Sequence, residues 1–245
     1  MIRWFNIVVV LFLLISCNTS QKTEANANNS LTEEQKMEGW ELMFDGVSTK
    51  GWHEFNKPTI GSAWKADSGT LHLTGSKSNG WQTLNGGDII YEKEYKNFHL
   101  KIDWKVPVAG NSGVMFYSQE GKQYGYPWET GIETQVLDNE KAGDATIPKC
   151  RGGDLYDLVS CSVDAVKPAN EWNKLEVISK DGKLDIILNG TKVIDTTIWD
   201  DNWKKLIAGT KFKDMPGFGM FRSGKIALQD EGNDVWYRNI MIKEL

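Results

Sequence analysis

The residues best suited to chemistry fall in two short blocks. The first is Glu129-Thr-Gly-Ile-Glu-Thr-Gln-Val-Leu-Asp-Asn139, in which Glu133 and Gln135 lie two positions apart. Side chains alternate sides along an extended strand, so these two share a face while Ile132, Thr134 and Val136 take the other. The second block runs from Gly224 to Gly232. There Ile226 and Leu228 alternate with Ala227 and Gln229, which reads as a strand with one apolar face and sets the Gln229 amide toward a groove. An acid and two amides on one side of neighbouring strands make a polar binding face, with Glu133 as candidate base. Asp230 is a candidate acid, or a turn residue ahead of Gly232. The chain has only three His, namely His53, His72 and His99, and none stands at metal-ligand spacing from another His or Cys. His72 and His99 sit within alternating strands; His53, after Trp52 in a Gly-flanked loop, reaches a groove. No Gly-x-Ser-x-Gly elbow occurs, which argues against a serine hydrolase.

The elements that must position these groups are short alternating runs separated by Gly, Asn and Asp, and helical periodicity is scarce. That pattern predicts an all-β chain. Hairpins are expected through Asp67-Ser-Gly69 and Asp181-Gly182, with strands over 40–44, 64–66, 70–73, 88–91, 98–106, 114–118, 131–137, 172–180, 183–188 and 193–196. Trp236, Ile240 and Ile242 fall on one parity of a last strand. A single short helix is expected over 199–207. Residues 138–160 form a long loop, a functional candidate on that ground. Asp154, Tyr156 and Asp157 within it line a groove, bind a metal, or pack Tyr156 with the acids exposed. Asn111, in Gly110-Asn-Ser-Gly113, caps a turn or binds sugar.

Eleven Trp in 245 residues is a high share. Aromatic rings stack on the apolar faces of sugars, and they also fill β-sandwich cores. Trp104 and Trp236 read as core. Trp81 and Trp128, in Gly-rich and Pro-containing loops, read as groove lining. The formal net charge of −5 makes nucleic acid an unfavoured partner.

The N-terminus reads as a bacterial lipoprotein signal over 1–16: Arg3, an apolar run from Ile7 to Ile15, and Leu14-Ile-Ser-Cys17. The run is too short to span a bilayer. Lipidation at Cys17 would anchor the chain, with 17–37 as a flexible tether and 38–245 as the folded domain. Asn18 in place of Asp after the Cys points to an outer-membrane lipoprotein facing the periplasm, with surface display left open. Cys150 and Cys161 are either a disulfide or two buried thiols.

From Gly39 to Leu245 the chain resembles the 3-keto-disaccharide hydrolase domain family. The resemblance lies in the order and spacing of Leu42-Met-Phe-Asp-Gly46, Gly51-Trp52, Gly87-Asp-Ile89, Gly110-Asn-Ser-Gly-Val114, the Glu133/Gln135/Asp138 block, Gly153-Asp-Leu-Tyr-Asp157, Glu171-Trp-Asn173, Leu188-Asn-Gly190 and Leu228-Gln-Asp230. It implies a concanavalin A-like jelly-roll β-sandwich of two antiparallel sheets with a carbohydrate groove. The family commonly carries His where this chain has Glu231. The resemblance also implies a sugar with a ketone at C3. The ketone acidifies the C2 proton, and the C1 glycosidic oxygen lies β to it, so cleavage proceeds by proton abstraction, elimination and hydration. Such a site needs a base, an enolate stabiliser and an acid. Glu133 is the expected base. Lys211, in a loop resembling a family motif, is the expected stabiliser, with Arg222 a weaker form of the same idea. Gln135 and Gln229 would bond ring hydroxyls. Any metal is unassigned: a carboxylate-bound divalent cation stays open, with Asp138, Glu140 and Asp144 offering oxygens but no calcium-loop pattern. Two rival expectations are a noncatalytic carbohydrate-binding lipoprotein and an ordinary retaining glycosidase. The latter wants a second acid on the strand where this chain has Gln135.

Overall fold

The computed structural model describes residues 1, 28–76 and 81–245. Cys17, the signal and most of the expected tether lie outside the described residues. In chain order the strands are β1 (Trp40–Leu42), β2 (Trp52–Glu54), β3 (Trp64–Asp67), β4 (Thr70–Leu73), β5 (Ile89–Tyr95), β6 (Phe98–Lys105), β7 (Asn111–Ser118), β8 (Ile132–Leu137), β9 (Asn173–Lys180), β10 (Lys183–Leu188), β11 (Thr191–Thr197), β12 (Gly224–Leu228) and β13 (Val235–Glu244). They form two antiparallel sheets. The larger runs β11-β10-β9-β6-β13-β4-β3, with β1 also on β13; the smaller runs β2-β5-β12-β7-β8. This is the expected all-β jelly-roll sandwich.

Local sequence explains the tight hairpins. Ser68-Gly69, Asp181-Gly182 and Asn189-Gly190 each take positive φ at both residues. Such paired left-handed residues turn the chain in the sense that matches strand twist. Alternation then fills the core. Leu100, Ile102 and Trp104 of β6 and Leu175 and Val177 of β9 meet Val114 and Phe116 of β7, Ile132 and Val136 of β8, and Ile226 and Leu228 of β12. Each such aliphatic side chain stabilises the fold by about 1.5–3 kcal/mol on burial. The smaller sheet's opposite face carries a second apolar cluster of Phe55, Ile90, Met115 and Ala227. Glu133 and Gln135 project on that same outer side.

Several expectations need correction. Trp236 is not in the core. A register shift lies between Arg238 and Met241, with Asn239 left-handed at φ 52°. The bulge reverses parity, so Val235 and Tyr237 point inward before it, Ile240 and Ile242 after it, and Trp236 stacks outside on His72 at 4.7 Å. Strand β2 was not expected. The helix of 199–207 begins later, as α2 (Asp201–Ala208), because Asp200 caps it by accepting from the Trp203 N–H; Trp199 is left-handed ahead of it. A second helix, α1 (Glu33–Met37), lies in the segment read as tether. It opens with a Thr32/Gln35 capping box. Asn29 donates to the side chain of Asn239 and to the carbonyl of Gly69, so residues from 28 onward are fastened to the outer face of the larger sheet. No helix among the described residues is long and apolar enough to cross a membrane. Cys150 and Cys161 are both free thiols.

One buried polar link joins the sheets beneath the polar face. The hydroxyls of Tyr237 and Ser112 are 2.8 Å apart, and Ser112 donates to the Gln229 carbonyl at 2.7 Å. Tyr237→Phe removes that partner, and denaturant unfolding is expected to show a loss of about 1–2 kcal/mol with unchanged slope. An unchanged midpoint would show that the link contributes nothing.

Candidate active site

A cavity of about 390 Å³ opens on the outer face of the smaller sheet, over β12, β7 and β8. Its floor is Asn111 at the start of β7, Glu133 and Gln135 of β8, and Gln229 and Glu231 just beyond β12. Tyr156, Lys211, Phe212 and Met215 form one wall together with Asp144, and Trp81 and Trp128 form another. The first wall is hung on the sheet edge. Tyr156 N–H donates to the Glu133 carbonyl, and Gln135 exchanges backbone bonds with Gly153 and Asp154, so the long loop lies along β8.

Glu133 is 6% exposed. Among the described residues its carboxylate accepts no hydrogen bond. Room for it comes from Gly113 on the neighbouring strand, where any Cβ would collide with the Glu133 carboxylate. Burial, aided by the nearby charge of Glu231, pushes the Glu133 carboxyl up to about 8, against a lowering pull from Lys211. Lys211 is held by its surroundings. Its ammonium lies 4.3 Å from the centre of the Tyr156 ring and 3.2 Å from the Tyr156 hydroxyl, and its backbone N–H donates to Asp157. Burial raises the Tyr156 hydroxyl, which keeps it a neutral donor. Among the described residues the buried Oε1 of Gln135 and Oδ1 of Asn111 have no hydrogen-bond partner. An unpaired buried acceptor costs about 1–3 kcal/mol, which a ligand hydroxyl would recover.

Other expected residues lie elsewhere. Asp230 is fully buried, and its carboxylate turns away from the cavity. It accepts from the N–H groups of Thr83, Gly87 and Gly232 and from the Thr83 hydroxyl. Those bonds make it a clamp on the 83–87 loop. Beside it Asp88 accepts from the Asp230 N–H at 2.8 Å, and burial, with the charges of Asp230 and Glu231, pushes it up to about 8. Asp154 is buried and holds the N–H groups of Arg151 and Cys161. Arg222 lies over the Trp199 ring at 5.1 Å. His53 is 3.1 Å from Glu120, which also takes Lys225. None of Asp230, Asp88, Asp154, Arg222 and His53 lines the cavity.

Glu231, Phe212 and Met215 are cavity residues given no site role from the sequence, and Asp144, offered there only as a metal-oxygen donor, lines the cavity as well. A signal for Glu231 existed. It shares parity with Gln229, and the Gln229 amide donates to it at 2.9 Å. Carrying the alternation of β12 two residues further selects Glu231 and rejects Asp230. Among the described residues no group of three or more His, Cys, Asp and Glu is arranged to hold a metal ion.

Such an acid- and amide-floored cavity between aromatic walls, on a two-sheet jelly roll, defines a class of carbohydrate-handling β-sandwich. The chain belongs to the 3-keto-alpha-glucoside-1,2-lyase-like domain family, whose pattern matches residues 39–243. It is 30% identical over 252 residues to a 3-keto-disaccharide hydrolase of Bacteroides thetaiotaomicron, covering 94% of this chain and 87% of that protein. A crystal structure from Parabacteroides distasonis, described as a candidate glycosyl hydrolase, superposes with a TM-score of 0.80 at 33% identity, covering 89% of this chain and all of the other. A Bacillus subtilis protein of galectin-like fold superposes with a TM-score of 0.50 at 12% identity, covering 89% of this chain and 94% of that one, which concerns the fold alone.

The raised Glu133 carboxyl has a stability consequence. A group that binds its proton more tightly folded than unfolded favours the fold at low pH, and that contribution is lost as pH rises from about 4.5 toward 8. Glu133→Gln does not titrate. Its stability relative to wild type should therefore grow across that window, on the order of 1 kcal/mol per pH unit, in denaturant unfolding at pH 5 and pH 8. A constant difference would show that the carboxyl is not shifted.

Proposed function

We propose that this protein cleaves 3-keto-glycosides, with Glu133 removing the C2 proton. The observation that carries the reading is Glu133 itself: a nearly dry carboxyl with no hydrogen-bond donor among the described residues, raised to about 8, facing a cavity that also holds Lys211. A carboxylate of ordinary basicity is a weak base toward carbon, and raising its pKa strengthens it. The family and the relatives support the coarser part, a glycoside-cleaving role.

The steps balance as follows. Glu133 takes the C2 proton, and the C2–H electrons delocalise onto the C3 oxygen as an enolate beside the Lys211 ammonium. Collapse of the enolate re-forms the ketone and a C1–C2 double bond and expels the C1 oxygen. That oxygen takes a proton from a water molecule in the cavity. The hydroxide so formed adds to C1 while Glu133 returns its proton to C2, so the net change is hydrolysis and the carboxylate is restored. Gln135 and Asn111 offer their unpaired oxygens to ring hydroxyls. The retaining-glycosidase alternative lacks support, because Gln135 occupies the position where a second acid on β8 would share the face with Glu133.

A 3-keto-glucoside and its unoxidised parent, offered to the purified protein, separate the readings. Aglycone release from the keto form alone is expected. Release from both would indicate a conventional glycosidase, and binding of both without turnover a noncatalytic module. Glu133→Gln should lower kcat by about 10²–10⁴-fold while binding persists. Because the base must be ionised, kcat/KM should rise with pH and level off above about 8. A profile falling through that range would assign Glu133 as an acid instead.

A further inference from the structure

The cavity has two dissimilar sides, and the sheet order places them opposite each other. Tyr156 and Lys211 stand at the free edge of β8, where the Tyr156 loop pairs with that strand. Trp128 packs against the outer-face cluster of Phe55, Ile90, Met115 and Ala227, over the middle strands β5, β7 and β12. Behind Trp128 lies Tyr126, parallel to it at 4.9 Å and 9° between planes. Trp81 meets the same Tyr126 ring at 5.2 Å and a tilt of 49°. Three aromatic rings thus form one supported wall. Trp81 keeps 37% of its surface open at the rim. Its loop is tied down by the Asp230 bonds to Thr83 and Gly87. A large aromatic side chain left exposed on a braced wall, beside a hydrogen-bonding floor, suits a flat ring with an apolar face.

We propose that this wall holds the departing group, so that the glycoside lies across the cavity with its keto ring toward Lys211 and its aglycone against Trp81 and Trp128. The assignment rests on the cleavage reading given above, since Lys211, the one cavity cation among the described residues, must face the C3 oxygen. C3 and the C1 oxygen lie on either side of C2. With Lys211 at the β8 edge and Glu133 beneath C2, the C1 oxygen points across β7 and β12 toward the tryptophans, passing Glu231. The wall offers mainly ring surface, with few side-chain donors. It therefore selects for a cyclic aglycone, whether a second sugar or an aryl ring, over a small acyclic one.

The test compares methyl, hexosyl and aryl 3-keto-glucosides with wild type, Trp81→Ala and Trp128→Phe, taking the ratio of variant to wild-type kcat/KM within each substrate so that leaving-group chemistry cancels. Trp81→Ala should lose about tenfold more on the two ring-bearing substrates than on the methyl one, mainly through KM. A larger loss on the hexosyl substrate identifies a sugar aglycone, and a larger loss on the aryl substrate an aromatic one. Equal losses on all three would overturn the assignment. Trp128→Phe keeps the packing on Met115 and should show the same bias more weakly; the opposite bias would also overturn it. Binding of the free aglycones, followed by tryptophan fluorescence, keeps this test distinct from that of the cleavage reading. If no keto substrate turns over, the cleavage reading fails. The wall as a ring-binding surface then stands if Trp81→Ala weakens free-aglycone binding, and falls if it does not.

Discussion

Strand β8 is buried along its whole length although it is an edge strand of its sheet. Alternation forces its two faces into different surroundings. Ile132 and Val136 go into the apolar interior, and Glu133 and Gln135 go to the opposite side, where the Tyr156 loop and the 211–215 segment close over them. A carboxyl and an amide shut away from water are costly unless they are paired. Here they are left largely unpaired, and the rest of the chain supplies the compensation. The sandwich core is large, the Ser112–Tyr237 link supports the floor from below, and Gly113 leaves space that any side chain would take. The desolvation cost of the site is thus offset by the burial achieved in the rest of the fold.

Asp230 and Glu231 show how adjacent residues of the same chemistry divide labour. Asp230 is surrounded by donors and fixes the 83–87 loop to the end of β12. Glu231, one residue on, faces the cavity and adds to the field that raises both Glu133 and Asp88. The clamp and the site therefore share one stretch of backbone. A disturbance of the loop that carries Trp81 reaches the floor through the Asp230 carboxylate.

Features set by local chemistry were legible in the sequence. The Ser68-Gly69 and Asp181-Gly182 pairs announced hairpins because left-handed backbone is cheap there. Glu133, Gln135 and Gln229 announce a shared face because strand periodicity is strict. What could not be read depends on geometry that no short window contains. The bulge at Asn239 reverses the parity of β13 and moves Trp236 outside. Loop conformation brings Asp144, Phe212 and Met215 to the cavity from positions far from β8. Asp154 and His53 looked chemical by type, yet each is occupied by partners that only the tertiary fold brings near.

The segment that begins at Asn28 crosses the back of the larger sheet, joined through Asn29 to Asn239 and through Gln35 to Met241. The cavity opens on the far side of the other sheet. Any tug or attachment exerted through the residues ahead of Asn28 is therefore delivered to the rear of the sandwich. The mouth is left facing outward, free to meet a bulky molecule, and a pull applied at Asn28 would peel the contacts to Asn239 and Gly69 before it reached Glu133.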